Sequence, residues 1–418
     1  MAKPSRKPSS SKLEHQRLCW HYGDLVAYGF RRLQRKYDRR TAELPDPTYI
    51  ENALAALSID GVETQEGLTD QLQSSLLPIL QSQIDSLLQA LDLPGLRNDP
   101  VPKLALVLQI QAKLDYSLDR IKYLVVTLCP DRESMSNRTD DHDLKGLKSY
   151  RLCRLRMKFE GILSWRICEI FETANDLIQQ MELSSGPSNS SWSEIESLKK
   201  SLNRTVCCTS DTIKSIADCF QASELALAQD SWRHQRLQIE QLHQSILEEL
   251  NPSTHTTGIF KQYSDQFVGQ SVIRLARLTL PIFKLSRIFF AKLSKRGLTQ
   301  ERLPIHTEIS SEQISILAAS VEHVAEDLRE LKFHLDSANQ RDGDARSEDF
   351  VRIAGSLKNC FVFPLLLVSM YFIPLIPDTE GLQLQKYYQN WCVTWNNHMA
   401  LAIHNFTLVA KTYTDDIP

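Results

Sequence analysis

The chain has 418 residues, of which 42% are apolar and 24% charged, and its formal net charge is −3. That length is too great for one small core and predicts two helical parts, while the near-neutral balance excludes a binder that holds nucleic acid by overall charge. Only 14 glycines occur, and no valine-rich alternating runs stand between turn signals, so the chain reads as all-α.

Residues 1–11 are basic and Ser/Pro-rich with no apolar run behind them, which predicts a disordered tail and no secretory leader. A helix follows from Leu13 to Tyr37 and runs into a cationic cluster of Arg31, Arg32, Arg35, Lys36, Arg39 and Arg40. Such a cluster suits an import signal or an acidic partner, and equally a solvated helix end. Asp46-Pro47 has the form of an N-cap followed by proline and opens a short helix to about Leu57. Apolar residues at steps of three and four then predict helices over about 68–91, 102–129 and 144–183. Ser184 to Ser190 has the composition of a linker. Ser191-x-x-Glu194 is a capping box that starts helical sequence reaching Leu250, with a break near Asp230. Asn251-Pro252 and Gly258 mark the main boundary, giving an N-terminal helical array over 12–253 and a C-terminal part over 258–414.

Four helices are expected in that C-terminal part, and short connections between them favour an up-down four-helix bundle. The first, about 259–295, is amphipathic: Leu275, Leu278, Ile282, Leu285, Phe289 and Leu293 form its seam. Arg274, Arg277, Lys284, Arg287, Lys292, Lys295 and Arg296 occupy its other faces. These cations suit an anionic partner or a membrane surface. The next helix begins at the capping box Ser310-x-x-Gln313 and is acidic (Glu308, Glu312, Glu322, Glu326, Asp327, Glu330), so pairing between the two helices is the competing expectation. The third, about 347–373, holds the apolar run Cys360 to Ile376. Two prolines and barely spanning length make this a buried core helix, with a membrane span as the alternative. The fourth, about 382–412, carries Trp391, Trp395, Met399 and Ile403.

Reactive chemistry finds little support. Asp140-Asp-His-Asp143 and Asn175 to Glu182 have the flavour of aspartate-rich magnesium motifs that bridge a diphosphate, but the spacing of the outer carboxylates is wrong. The eleven histidines show no zinc spacing. Neither a nucleophile elbow nor a glycine-rich phosphate loop occurs. Nine cysteines, an odd number without a C-x-x-C pair and with Cys207 and Cys208 adjacent, read as free thiols. No catalytic residue, cofactor or metal is expected.

The order of the last four helices, basic, acidic, apolar and Trp-bearing, resembles the C-terminal half of the cyclin-D-binding helical family, whose architecture is similar to vinculin- and catenin-type bundles. The stretches concerned are Val272–Gly297, Gln313–Leu335 and Trp391–Lys411, without the family's acidic insert between halves. This resemblance implies a non-enzymatic regulator of the cytoplasm and nucleus that acts through protein contacts. The run Lys284 to Lys295 is also similar to lineage-specific fungal proteins, a likeness that implies no function. The sequence therefore predicts a non-catalytic helical interaction module, with a peripheral binder of anionic membrane surfaces as the alternative.

Overall fold

The computed structural model describes residues 10–38, 64–129, 140–186, 191–251, 266–294, 303–340, 345–377 and 383–413. Among these residues every regular element is helical and no strand occurs. The expected short helix over 46–57 lies outside them, as do residues 1–9 of the expected tail. The chain forms two compact units that divide at Gln221/Ala222.

The N-terminal unit contains α1 (Ser10–Tyr37), α2 (Gln65–Asp70), α3 (Leu77–Ala90), α4 (Leu93–Asn98), α5 (Pro100–Leu128) and, from Arg151 on, α6 (Ser149–Met157), α7 (Ser164–Gln180) and α8 (Trp192–Gln221). π-helical turns at Gln71–Leu76 and Lys158–Leu163 carry α2 into α3 and α6 into α7, so the expected 68–91 helix is one continuous run with a local widening. Beyond that run Pro94-Gly95 lies within a short helix of its own. Asp92 caps a short helix by accepting from the Gly95 N–H at 2.8 Å, and Pro94 sits in its first turn, where a missing N–H costs nothing. Contacts run α1–α7–α8–α3–α5 and back to α1, a closed ring of five helices. Phe30, Leu33, Leu80, Leu114, Ile121, Phe171 and Leu177 fill it, with the Phe30 and Phe171 ring centroids 6.0 Å apart. Gly29 leaves room for the Gln111 side chain of α5, since a Cβ there would meet its amide oxygen at 2.2 Å. That buried amide donates to the Val26 carbonyl at 2.9 Å.

The C-terminal unit contains α9 (Glu224–Asp230), α10 (Trp232–Leu250), α11 (Gln270–Leu293), α12 (Ser311–Asn339), α13 (Ser347–Cys360), α14 (Val362–Leu367) and α15 (Leu384–Ala410). Contacts run α11–α15–α13–α12 and back to α11, and α10 packs on both α11 and α12. The four helices anticipated from the sequence thus touch in a ring, but α9 and α10 share their core. Leu225, Trp232, Ile239 and Ile246 are buried in the same cluster as Leu275, Phe289, Leu328 and Phe406. This moves the division ahead of Asn251-Pro252: the apolar faces of α9 and α10 find their partners downstream, not upstream. The capping box at Ser310 forms in full, with Gln313 N–H donating to Ser310 Oγ and Ser310 N–H to Gln313 Oε1 at 2.9 Å. At Ser191 only half of the box forms: Ser191 N–H donates to Glu194 at 2.8 Å, while Ser191 Oγ pairs with Ser193 Oγ.

One short stretch crosses this division in sequence. Residues 140–150, which precede most of α6, belong to the C-terminal unit. A 3-10 turn at His142–Leu147, with Lys145 at φ 46°, replaces the expected start of the 144–183 helix, and α6 opens at Ser149 because the Asp141 carboxylate accepts the Ser149 N–H at 2.7 Å.

Candidate functional site

The Asp140–Asp143 cluster is split by its own geometry. Asp141 is 2% exposed and turns inward, accepting from Ser149 N–H, Ser311 N–H at 2.8 Å and Ser311 Oγ at 2.6 Å. Burial pushes its carboxyl up, and the Ser311 and Ser149 hydrogen bonds outweigh that, so its pKa lies below the ordinary value. Asp140 and Asp143 point outward and bracket the His142 ring, Asp140 on Nδ1 and Asp143 at 3.2 Å from Nε2. The Asp140 hydrogen bond, then the charges of Asp140, Asp143 and Glu308, raise the His142 pKa. Asn175 and Asp176 lie on α7 and pair with each other at 3.4 Å. Among the described residues no group of three or more His, Cys, Asp or Glu is placed to hold a metal ion.

An open cleft of about 440 Å³ lies against the start of α12, lined by Asp140, His142, Glu308, Ser310, Glu312, Gln313 and Tyr371. Its polar groups are largely engaged with each other: Ser310 and Gln313 form the cap, and the Gln313 amide donates to Tyr371 Oη at 3.1 Å. The lining is acidic, holds no nucleophile paired with a base, and gives no acid–base couple beyond His142 and its carboxylates.

The cationic residues of α11 separate into two sets. Arg287 is half-buried and pairs with Glu240 of α10 at 2.5 Å while its second nitrogen reaches His243 Nδ1 at 3.0 Å. Lys292 donates to Tyr387 Oη at 2.9 Å and sits over the Tyr387 and Tyr388 rings. These two cations therefore turn to α10 and α15, not to the acidic α12 expected from the sequence. Glu330 of α12 pairs instead with Arg352 of α13 at 2.5 Å. Arg274, Arg277 and Lys284 are exposed and make no ion pair among the described residues. Lys295 and Arg296 lie outside the described residues.

The α1 cluster is partly absorbed by its own unit. Arg32 and Lys36 bond Asp115 of α5, both at 2.7 Å, and Lys36 also bonds Asp119. Tyr37 Oη donates into the same carboxylate pair, 2.7 Å from Asp119. Arg31 and Arg35 are exposed, and Arg39 and Arg40 lie outside the described residues.

The run expected to be a buried core helix is only half core. It breaks at Phe361, continues as α14, widens into a π turn at Val368–Phe372 and closes as a 3-10 turn at Ile373–Leu375. Phe361, Leu367, Val368, Phe372 and Ile373 are buried. Val362, Phe363, Leu366, Met370 and Leu375 are 52%, 59%, 49%, 57% and 40% exposed. Residues 362, 366 and 370 recur at steps of four, so they line one side of the helix. No charged residue falls between Lys358 and Asp378. The outcome is a ridge of large apolar side chains facing water. The periodicity alone missed it because both faces of this helix are apolar, and only the neighbours decide which one is covered.

Two sequence families match the chain, a Domain of unknown function (DUF8723) over residues 65–221 and a Domain of unknown function (DUF8721) over residues 223–408. The matches meet at residue 222. That is where the two compact units divide. Residues 140–150 are the exception, matched with the first family and folded with the second unit. No curated protein and no solved structure matches the chain.

Proposed function

We propose that the chain is a non-catalytic interaction module of the cytoplasm and nucleus, of the regulatory type that its resemblance to cyclin-D-binding helical proteins implies. Its docking surface is the ridge of Val362, Phe363, Leu366, Met370 and Leu375, and the occupant is an amphipathic helix of another protein. The exposure of those five side chains, with Val362, Leu366 and Met370 at steps of four, carries this reading. Side chains at steps of four form the kind of ridge that seats in the groove of a second helix. The ridge carries no cation, which a helix lying on anionic lipid needs. Replacing Leu366 and Met370 by Glu leaves the buried face intact and puts two carboxylates where the partner packs. Quantitative proximity labelling should then lose the same protein that binds the purified wild-type chain directly. Unchanged labelling and unchanged direct binding would sink the reading.

A second reading rests on Arg274, Arg277 and Lys284, whose exposure, without ion-pair partners among the described residues, suits an anionic surface. Here the chain binds membranes peripherally through α11. Changing all three to Glu should abolish pelleting with phosphatidylserine vesicles and leave the ridge-dependent binding alone; equal pelleting of both chains removes this reading.

A further inference from the structure

Residues 140–150 are held within the C-terminal unit by a set of buried polar contacts. Lys148 is 1% exposed, and its ammonium donates to Glu224 at 2.5 Å, to the Thr307 carbonyl at 2.6 Å and to the Ile309 carbonyl at 2.7 Å. Glu224, also 1% exposed, stands in the first turn of α9, where a carboxylate is favoured. Its other oxygen accepts the Thr307 N–H at 2.8 Å and the Thr307 hydroxyl. At the far end of the segment Asp141 receives the Ser311 N–H and hydroxyl at the start of α12, and Ser311 Oγ in turn accepts the Tyr150 N–H at 2.8 Å.

We infer that this is a peptide-binding site occupied in cis: the C-terminal unit recognises a segment bearing a carboxylate and a distal lysine, and residues 140–150 fill it. Every receiving group belongs to the C-terminal unit, and each contact made by Lys148, Asp141 or Tyr150 is lost when the segment is absent. Glu224 would keep its Thr307 contacts but lose its counter-ion, and the Thr307 and Ile309 carbonyls and the Ser311 N–H would lose their partners. The segment lies inside the stretch matched by one family and completes the unit matched by the other, so the ordering of the C-terminal unit depends on residues far upstream in sequence.

Hydrogen exchange on the full chain, resolved by peptide, tests this with Lys148→Met and Asp141→Asn. Lys148→Met should speed exchange of α9 and the first turns of α12 on the order of a hundredfold, the scale set by an unpaired buried charge. The α3 and α5 amides should stay at wild-type rates. Asp141→Asn keeps the side-chain volume and carries the same expectation at α12 should Lys148→Met fail to fold. The inference is overturned if faster exchange is confined to 140–150, or if both variants exchange like the wild type.

Discussion

His142 and His243 show how a single side chain here reports its surroundings. His142 stands between Asp140 and Asp143, so its protonated form is favoured in the folded chain and its pKa is raised. The stabilisation this gives is complete below the ordinary histidine pKa and fades as pH rises through the folded value. In an NMR titration the His142 ring should therefore titrate above a free histidine, and Asp140→Asn should bring it back toward the ordinary range; no movement would refute the pairing. His243 is the opposite case. Burial first, then the Arg287 charge beside it, lowers its pKa. Its contribution is present above the ordinary value and is lost as pH falls through the folded one. Neither environment could be read from sequence. Asp140 and Asp143 flank His142 within the chain, but which of the clustered carboxylates turns inward is decided by Ser311, far downstream.

Among the elements, α11 carries most of the C-terminal core. Phe289 lies 5.2 Å from Phe361, 4.7 Å from Trp395 and 5.3 Å from Phe290 between ring centroids, joining α11 to α15 and to the end of α13 at one point. The Trp395 indole N–H donates to the Leu285 carbonyl at 2.9 Å, so its polar edge is satisfied within the same cluster. Phe289→Ala should lower the stability of the C-terminal unit by about 3–5 kcal/mol in denaturant titration. A loss under about 1 kcal/mol would mean that the cluster collapses to fill the space. The buried stripe itself is legible in the sequence: steps of three and four through Leu275, Leu278, Ile282, Leu285, Phe289 and Leu293 mark a helix with one apolar side, and the structure buries Leu275, Ile282, Phe289 and Leu293 and packs Leu278 and Leu285 partly buried against the same core. The partner of each cation is not legible. Sequence order puts the acidic α12 next to α11, whereas Arg287 and Lys292 look sideways to α10 and α15. Helix start signals fare unevenly for a similar reason. Ser310 has a free N–H and Gln313 to reciprocate, but the Ser191 hydroxyl finds Ser193 nearer.

For the whole molecule, composition and periodicity predict an all-α chain, and every regular element among the described residues is a helix. The position of the division is harder to see. Asn251-Pro252 and Gly258 are strong local punctuation, yet a unit ends where apolar faces stop finding partners, and Leu225, Trp232 and Ile246 of α9 and α10 are buried in one core with α11 and α12. Likewise the sequence starts a helix at about residue 144 and runs it through Lys148, and only the burial of Asp141 and Lys148 reveals what these two charges do. The ridge on α14 escapes for the inverse reason, since apolar character on both faces hides which one meets water. The proposed role of the whole chain turns on that ridge. A photocrosslinking amino acid at Phe363, introduced in the full chain and activated in cells of the native host, tests it most directly. The expected product is an adduct with an amphipathic helical segment of a different protein, absent when Leu366 and Met370 are Glu. An adduct with phospholipid or with a second copy of the chain would contradict the proposal, as would crosslinking no greater than at an exposed polar position such as Lys214.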